Sequence, residues 1–406
     1  MTSERLTIVC FSSQPWEDEM WTNKQHVMSR VANRHRVVFV NFGNQSPFKF
    51  LRRAAEWDPS RARGLRALEA PSVRRVSDSL EVLEIWAPTW LNFLGRGHAL
   101  RTWNDFERRV DVVGRWLREQ GLKDVVVWVY HPGYGASVLR LAPRLVVYDC
   151  VDEYSAFPEF KGAETWIRAR ERQLCEVAGV VTCMAPSLYE TKRELAPGRT
   201  HLVHNVGDYE HFQRAMAPTT RVPPDLATAR RPVIGFIGAV SDYKLDIDWL
   251  VHLAQARPEW TLAIIGPTGV ADPGTDVARL RALPNVMLMG HRKYDELPSY
   301  LKGFDVAVIP YRTNDYTRAV FPIKFFEFMA SGRPVVISAL PAVERYWDAT
   351  LVARTADEFV EKCEQALAAD SESARERRLQ LARENSWPER VRKLLALVEP
   401  AALASR

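Results

Sequence analysis

The sequence is poor in cysteine and has no long apolar run, and each shortage excludes a class of protein. The 406 residues include five cysteines, at positions 10, 150, 175, 183 and 363, and no CxxC pair. This odd, scattered set predicts neither a disulfide framework nor a zinc site, and it favours a reducing cytosol. No stretch approaches the ~18 consecutive apolar residues of a membrane-spanning helix. The start of the chain, MTSERLTIVCF, also lacks the basic and apolar regions of a secretory signal.

An excess of charge of one sign is also missing. The chain carries 55 Lys and Arg residues against 50 Asp and Glu residues, a net charge of +5, whereas nucleic-acid binders usually show a stronger or more clustered basic bias. Hydrophobic residues make up 47% and charged residues 26% of the chain, which excludes a disordered or fibrous protein. The length indicates two or three domains, and two of roughly 200 residues are the simplest solution.

Short β-branched runs alternate with helical spacings, which predicts parallel sheets covered by helices on both faces. The first series includes LTIVCF (6–11), DVVVWVY (124–130) and LVVY (145–148). A segment rich in Pro, Thr and Arg (216–232) follows, and the alternation restarts at VIGFIG (233–238). The sequence therefore predicts an α/β protein with two doubly wound, Rossmann-like domains that face each other across a cleft.

The predicted domains are an N-terminal domain over residues 1–212 and a C-terminal domain over residues 213–385. A terminal helix is predicted in residues 386–406, and the sequence leaves open whether it returns to the first domain. Because ligands of open α/β sheets bind beyond the carboxyl ends of the strands, the residues that follow each strand are the candidate site residues.

The most informative segment is PYRTNDYTRAVFPIKFFEFMASGRPVVIS (310–338), which predicts a strand, a polar loop, a helix and another strand. Pro322 is expected in the first turn of a helix over Ile323–Ala330, and Ser331 and Gly332 provide its C-terminal signal. Helix N-termini offer unpaired N–H groups and a positive dipole end, so the start of this helix suits a phosphate group.

Two cations and a carboxylate lie around this predicted helix start. Arg318 and Lys324 are placed to neutralise a diphosphate, and Glu327, one turn into the helix, is placed to accept hydrogen bonds from the two hydroxyls of a ribose. Spacing alone supports an alternative about equally well, namely a plain loop–helix–strand unit in which Glu327 is a solvated surface charge.

The pattern PxKxxExxASGRPVV (322–336) resembles the donor-binding segment of GT-B fold glycosyltransferases, of glycosyltransferase family 4 in particular. Further similar segments follow the family's order: HNVGDYEHF (204–212), GFIGAVSDYKLDIDWL (235–250), PNVMLMGHRKYDELPSYLKGFDVAVIPY (284–311) and ENSWPERV (384–391). SSQPWEDEMWTNKQH (12–26) and YDCVDEYSAF (148–157) are most similar to the teichuronic-acid biosynthesis type. No single motif is unique, but the ordered set is specific and extends over nearly the whole chain.

The resemblance implies a GT-B fold and transfer of a sugar from a nucleotide-sugar, with retention of the anomeric configuration and without a metal or other cofactor. It implies that Glu327 binds the ribose and that Lys324 lies near the diphosphate or the donor sugar. The candidate donor-binding residues are Gly238, Lys244, Arg318, Phe321, Pro322, Ile323, Lys324 and Glu327.

The sequence departs from the family pattern at two places. The position eight residues before Glu327, where the family has a second glutamate, is Ala319. The glycine loop lacks the diphosphate-binding Arg and Lys around Ser241, with Lys244 as a possible substitute. These departures keep open a non-catalytic relative that only binds a nucleotide-sugar or a partner enzyme. A sugar-nucleotide epimerase or hydrolase on the same fold is the alternative among enzymes.

Strand ends in the first half supply the candidate catalytic residues, His131 and Asp152. Family members often carry a histidine in a segment similar to that of His131, where it can bond a sugar hydroxyl or transfer a proton. A histidine bonded locally in a turn is the alternative. Asp149, Asp152 and Glu153 follow the next strand and are placed to bind acceptor hydroxyls or to help expel the leaving group. Helix capping by Asp152 is the alternative there.

The segment after the first strand supplies further acceptor-binding candidates. Trp16, Lys24 and Gln25 join Asp149 in this set, because aromatic and amide groups suit sugar stacking and hydroxyl recognition. A position in the core or in an interface explains Trp16 and Trp21 about as well as sugar stacking does.

The pair Asp246 and Asp248 resembles the DxD of metal-dependent transferases of another fold. It lies in a predicted helix rather than after a strand, so we interpret it as a surface charge pair, and no metal site is predicted. The chain also lacks GxGxxG and GxxxxGK[ST], which argues against dinucleotide and P-loop sites.

Residues 49–75 carry eight Lys and Arg residues against three acidic ones. Aromatic residues lie nearby in the sequence: Trp57, Trp86, Trp90 and Phe93. This mixture suits an anionic membrane surface, although an ordinary solvated face is the commoner outcome. The predicted partners are a nucleotide-sugar donor and a carbohydrate or lipid-linked acceptor, with no nucleic acid. The predicted location is the cytoplasm, with contact to the inner face of the plasma membrane as an option.

Overall fold

The computed structural model describes residues 4–17, 21–41, 71–85, 98–157, 160–269, 272, 274–318 and 321–405. The chain divides into two compact units. The first unit comprises residues 1–203 and 391–406, and the second unit comprises residues 204–390. The sequence prediction placed the end of the first domain at residue 212 and the start of the terminal helix at residue 386.

The first unit is built on an eight-stranded sheet. Its elements are β1 (Thr7–Phe11), α1 (Asn23–Val31), β2 (Arg36–Val40), β3 (Ser72–Ser77), β4 (Leu80–Glu84), α2 (His98–Glu119), β5 (Val126–Val129), β6 (Leu145–Cys150), α3 (Glu164–Val177), β7 (Val180–Cys183), α4 (Pro186–Leu195) and β8 (Thr200–Leu202), with 3-10 helices at Pro132–Leu141 and Tyr154–Ala156. The strand order is β3-β4-β2-β1-β5-β6-β7-β8. All pairs are parallel except β3 with β4.

The strands at the centre of this sheet are buried on both faces, as their unbroken apolar runs predicted. Every residue of β5 and of β6 is buried. Because β1, β5 and β6 are neighbours in the sheet, the segments that follow them meet at one edge. The strand β6 continues to Cys150, so Asp149 lies inside the strand rather than beyond it.

The second unit is built on a six-stranded parallel sheet in the order β11-β10-β9-β12-β13-β14. Its elements are α5 (Tyr209–Phe212), α6 (Pro224–Ala227), β9 (Val233–Ile237), α7 (Ile247–Ala256), β10 (Thr261–Ile265), α8 (Ala278–Arg281), β11 (Val286–Gly290), α9 (Leu297–Lys302), β12 (Val306–Ile309), α10 (Asp315–Arg318), α11 (Ile323–Ala330), β13 (Val335–Ser338), β14 (Leu351–Ala353), α12 (Ala356–Ala369) and α13 (Glu372–Glu384), with 3-10 helices at Gln213–Met216, Tyr294–Glu296 and Pro341–Ala349.

The last helix, α14 (Trp387–Ala404), contributes its residues from Val391 onward to the first unit. Leu394 and Val398 are fully buried there. The carboxylate of Glu399 lies 3.0 Å from Nε2 of His35, which holds this end of the helix next to the connection between α1 and β2. Among the helices that the structure describes, none is both long enough and apolar enough to cross a lipid bilayer.

Candidate active site

The helix α11 has the limits that the sequence predicts, but Pro322 has a different place. Pro322 is the N-cap residue, with extended backbone angles (φ −72°, ψ 119°), so it precedes the helix rather than forming its first turn. The first-turn amides of a helix have no partner within it, and they create a positive end that favours anions. Gly332 follows the helix with φ +72°, a conformation that suits glycine.

Glu327 is buried in the interior of the second unit, so its interpretation as a solvated surface charge is wrong. Its exposed fraction is 9%. Burial raises its pKa to about 8, while Lys324 opposes the rise and Asp208 adds to it. A Cβ on Gly207 would lie 2.7 Å from the backbone nitrogen of Glu327, so only glycine allows this close approach. The segment around Gly207 and Asp208 therefore covers the helix turn that carries Glu327.

Two lysines lie near the buried ring of Tyr311, and one of them, Lys324, is also close to Glu327. The Nζ of Lys244 lies 4.9 Å from the ring centre of Tyr311. Burial raises the pKa of Tyr311, an effect that Lys324 opposes and Glu327 strengthens, so all three groups are close. A Cβ on Gly238 would lie 2.3 Å from Cε and 3.1 Å from Nζ of Lys324, so the lysine side chain passes directly over the end of β9.

The segment before α11 is held by an asparagine that the sequence analysis did not single out. Asn205 Nδ2 donates a hydrogen bond to the carbonyl oxygen of Phe321 (3.0 Å). The Phe321 ring is buried and stacks on Phe326, with ring centres 5.6 Å apart. Arg318 is exposed at the end of α10, and Ala319 lies outside the described residues. The sequence did contain a signal for Asn205 and Asp208, because both belong to HNVGDYEHF (204–212), one of the segments that resemble the family.

His131 lies at the carboxyl edge of the first unit's sheet, buried to 3% exposure. Its Nδ1 accepts a hydrogen bond from the backbone N–H of Gly133 (3.0 Å), which is the local turn bond of the alternative interpretation. This bond requires an unprotonated Nδ1, so the neutral ring carries its proton on Nε2. Phe106 stacks on the imidazole with ring centres 4.7 Å apart. Burial lowers the pKa of His131 to about 3, and Lys24 adds to this effect.

The structure brings Lys24 close to His131, and both Lys24 and Asp149 close to Cys10. Lys24 is buried on α1, with its Nζ 5.9 Å from the ring centre of Tyr130. Asp149 is fully buried and accepts a hydrogen bond from Thr182 Oγ1 (2.9 Å). Burial and the Asp149 carboxylate raise the pKa of the Cys10 thiol, whereas Lys24 lowers it, so both charges lie near the end of β1.

Asp152 follows β6 in a half-buried position, and its interpretation as a helix cap is wrong. The N-cap residue of the Tyr154–Ala156 turn is Glu153. The Glu153 carboxylate accepts a hydrogen bond from Ser155 Oγ (2.6 Å) and lies 3.4 Å from Nζ of the buried Lys192. Lys192 in turn pairs with Glu171 at 2.8 Å. Glu153 is thus held by ionic contacts next to Asp152.

Trp16 and Gln25 serve the loop between β1 and α1. The Trp16 ring is buried against Phe39, with ring centres 5.0 Å apart, which is the core position that the alternative expected. Gln25 donates to the carbonyl oxygen of Pro15 (2.8 Å) and accepts from the backbone N–H of Thr22 (3.2 Å). Its amide therefore stabilises the start of α1.

Asp246 and Asp248 have the structural roles expected of a surface pair. Asp246 caps α7 by accepting from the backbone N–H of Trp249 (3.3 Å), and the exposed Asp248 pairs with Arg279. Within the described ranges, His, Cys, Asp and Glu side chains do not gather in threes that could hold a metal ion.

Most of the basic segment 49–75 lies outside the described residues, as do Trp57, Trp86, Trp90 and Phe93. Its described end belongs to β3. There Arg74 pairs with Glu17, and Arg75 lies 3.3 Å from Asp78.

Comparisons with known proteins agree with this architecture. Residues 231–369 match the family described as "Glycosyl transferases group 1". The chain is 30% identical over 278 residues, 64% of this chain and 68% of the other, to TuaH of Bacillus subtilis strain 168, which is named as a candidate glycosyltransferase of teichuronic acid biosynthesis.

Solved structures show the same fold. A sucrose-phosphate synthase from Thermosynechococcus elongatus superposes with a TM-score of 0.72 at 15% identity, over 99% of this chain and 100% of that one. Anabaena HepE in complex with UDP and glucose superposes with a TM-score of 0.64 at 14% identity, over 97% and 99%.

The two-sheet α/β architecture is that of GT-B glycosyltransferases, and the predicted GT-B fold class is confirmed. The chain belongs to the group 1 glycosyltransferases and, as its sequence resemblance predicted, is similar to the teichuronic-acid type.

Proposed function

We propose that the protein transfers a sugar from a nucleotide-sugar to a carbohydrate or lipid-linked acceptor during synthesis of a cell-surface polysaccharide or glycoconjugate. The observation that carries the proposal is the buried Glu327 beside Lys324 on α11, with Lys244 over the ring of the neighbouring Tyr311. The name of TuaH supports a polysaccharide product, and the UDP complex of HepE supports a nucleotide-sugar donor.

The donor-binding part of the proposal rests on charge. A departing nucleoside diphosphate carries negative charge that must be stabilised as the glycosidic bond breaks. Lys324, Lys244 and Arg318, with the amides at the start of α11, supply positive charge without a metal ion. We therefore propose metal-independent transfer with retention of configuration. We expect turnover to persist in EDTA and the product to have the anomeric configuration of the donor. Loss of turnover in EDTA would refute metal-independent transfer.

Glu327 is proposed to bind the ribose of the donor. An ionised carboxylate accepts hydrogen bonds from two neighbouring hydroxyls, and bonds to a charged acceptor are stronger than neutral ones. Because burial raises the pKa of Glu327 to about 8 in the unliganded protein, nucleotide binding must be accompanied by loss of a proton from this carboxyl.

The decisive experiment compares E327A with wild type by calorimetry, using UDP and GDP as ligands, and by turnover of the matching nucleotide-sugars. Hydrogen bonds to a charged group contribute about 1.5–3 kcal/mol each, and the cost of ionising the buried Glu327 carboxyl offsets part of this contribution. We expect E327A to weaken nucleotide binding by about 10- to 100-fold. The matched control is E361A, because Glu361 is an exposed glutamate on α12. Unchanged affinity and turnover in E327A would refute the ribose assignment.

The first unit is proposed to bind the acceptor. His131 would donate its Nε2–H to a sugar hydroxyl, while Lys24, Asp149 and Asp152 would shape the surrounding pocket. Incubation of a nucleotide-sugar without acceptor separates this proposal from its rivals. An epimerase would convert the donor alone, and a binding protein would leave it unchanged in every mixture.

We also propose a cytoplasmic location with peripheral contact to the inner face of the plasma membrane through the basic segment 49–75. The support is its surplus of Lys and Arg and its aromatic neighbours. Cosedimentation with anionic but not with neutral vesicles is expected, and equal binding to both would contradict the electrostatic contact.

A further inference from the structure

The side chain of Arg170 on α3 reaches the segment that follows β5. Its Nε donates to the carbonyl oxygen of Gly133 (2.9 Å), and its Nη2 donates to the carbonyl oxygen of Tyr134 (2.7 Å). On α2, the carboxylate of Glu107 lies 2.7 Å from the same guanidinium. The side chain is only 11% exposed. Arg170 is therefore a fixed bridge between one carboxylate and two consecutive backbone carbonyls.

Gly133 connects this bridge to His131. Its carbonyl oxygen accepts from Arg170, and its N–H donates to Nδ1 of His131 (3.0 Å). The bond from Arg170 therefore restrains the same residue whose N–H bonds to the imidazole. As long as Gly133 is held, Nδ1 must remain an acceptor, and the proton of the neutral ring must stay on Nε2.

Gly135 shows that the segment is shaped around this arginine. Its φ is +49°, inside a kink of the Pro132–Leu141 helix. A Cβ at this position would lie 2.8 Å from both Cζ and Nε of Arg170. Glycine is thus needed both for the backbone conformation and for the space that the guanidinium occupies.

We infer that Arg170 is a positioning residue, which holds His131 in one orientation and one tautomer by fixing the peptide segment that bonds to the imidazole. The inference rests on the proposed role of His131 in sugar transfer. A contact of this kind selects which ring nitrogen faces the substrate. Around metal-bound histidines the loss of such an orienting contact costs about 10- to 100-fold in activity, and we expect an effect of similar size here.

Arg140 provides a matched control, because it pairs with the same glutamate from the outside. Its Nη2 lies 2.6 Å from Oε2 of Glu107, and the side chain is 45% exposed. Its bonds go to Glu107 and Asp111. Replacement of Arg140 removes a cation from Glu107 without touching the Gly133 carbonyl, whereas R170K keeps a cation near Glu107 but cannot reach both carbonyls.

The experiment measures the ¹⁵N shifts of the His131 ring at pH 7 in histidine-labelled protein, with the signal assigned from its loss in H131Q. Wild type and R140M are expected to show only the Nε2-protonated tautomer. R170M and R170K are expected to show a mixture of tautomers. In the same variants kcat should fall by about 10- to 100-fold, while UDP or GDP affinity stays unchanged.

A pure Nε2 tautomer in both R170M and R170K would overturn the inference, and so would an equal disturbance in R140M. If R170M does not fold, R170K with its retained charge decides the question. Mixed tautomers with unchanged turnover would leave the inference standing and would instead remove His131 from the proposed reaction. The spectroscopic result does not depend on an active donor–acceptor pair, so the two failures are distinguishable.

Discussion

Glu327 in the second unit and His131 in the first unit are both buried at their candidate sites, and the pKa values of the two groups respond to burial in opposite directions. Burial disfavours the charged form, so it raises the pKa of an acid and lowers the pKa of a base. In the second unit it raises the pKa of Glu327 to about 8. In the first unit it lowers the pKa of His131 to about 3. Both groups are therefore mainly neutral at pH 7.

The difference lies in how close each group is to a change of charge. Glu327 ionises within about one pH unit of neutrality, and Lys324 beside it favours the carboxylate. His131 is far from protonation, and the ammonium of Lys24 holds it further away. The second unit should thus respond to pH and to ligand charge, whereas the first unit offers a fixed neutral hydrogen-bond donor.

Replacement of His131 should give the largest effect on turnover. If His131 works as a neutral donor, H131A loses one bond to the reacting sugar, and kcat should fall by about 100- to 1000-fold. Glutamine also carries a neutral N–H, so H131Q should retain about 10-fold more activity than H131A, which is the rate change expected for a donor worth about 1.4 kcal/mol. Steady-state kinetics with saturating donor measures both.

Nucleotide affinity should stay unchanged in both His131 variants, because donor binding is proposed for the second unit. Equal inactivity of H131A and H131Q, together with a wild-type pH profile that follows a single ionisation between pH 5 and 8, would contradict a neutral donor. Such a result would indicate proton transfer by the ring.

Nucleotide binding by the second unit should depend on pH, whereas His131 in the first unit should stay neutral over the same range. Because binding favours the ionised carboxylate, affinity should rise as the pH rises toward the pKa of Glu327 at about 8, and level off above it. Below that pKa each pH unit should cost up to about 10-fold in affinity. Calorimetry with UDP and GDP between pH 6 and 9 measures the slope.

The matched control for this slope is E327Q, which keeps the shape of the side chain but cannot ionise. The E327Q variant should bind the nucleotide weakly, and its affinity should not rise with pH as that of the wild type does. Ionisation of the nucleotide itself affects both proteins equally, so it cancels when the two pH curves are compared. A wild-type curve parallel to that of E327Q would show that Glu327 does not change its charge on binding.

The sequence predicted those features that depend on local signals. The limits of α11 agree with the structure because Pro322 and Gly332 mark its two ends within the segment itself. The strand ends that carry His131 and Asp152 could also be predicted from the sequence, because unbroken apolar runs identify buried parallel strands. The resemblance to a glycosyltransferase family supplied the ribose assignment of Glu327.

The features that the sequence did not predict depend on contacts between distant segments. Glu327 is buried partly because Gly207 approaches its backbone, and no local pattern reveals that approach. The contact of Lys192 with Glu153 and the bridge from Arg170 to Gly133 likewise join separate elements. Gly135 is visible in the sequence, but the sequence does not show why a glycine is needed there, which is the Arg170 guanidinium packed against it.

The smallest expected effects are changes in the free energy of unfolding when alanine replaces Gly133, next to His131, or Gly207, next to Glu327. A comparison of the two variants tests how rigidly each buried group is enclosed. In G133A the new Cβ would lie 2.3 Å from Cε2 of the Phe106 ring, whereas in G207A it would lie 2.7 Å from the backbone nitrogen of Glu327. A ring can shift by rotation of its side chain, but a helix backbone cannot. We therefore expect G207A to lower the free energy of unfolding by about 1–3 kcal/mol and G133A by less.

Thermal and urea unfolding of the two variants measure this difference. The control is G274A, where the nearest atom to a new Cβ is Asp272 Oδ1 at 4.0 Å; it should behave like wild type. If G133A is the more damaging change, the Phe106 ring is held as firmly as a helix backbone. The enclosure of His131 would then be at least as rigid as that of Glu327, and only the ionisation of the two groups would distinguish the two sites.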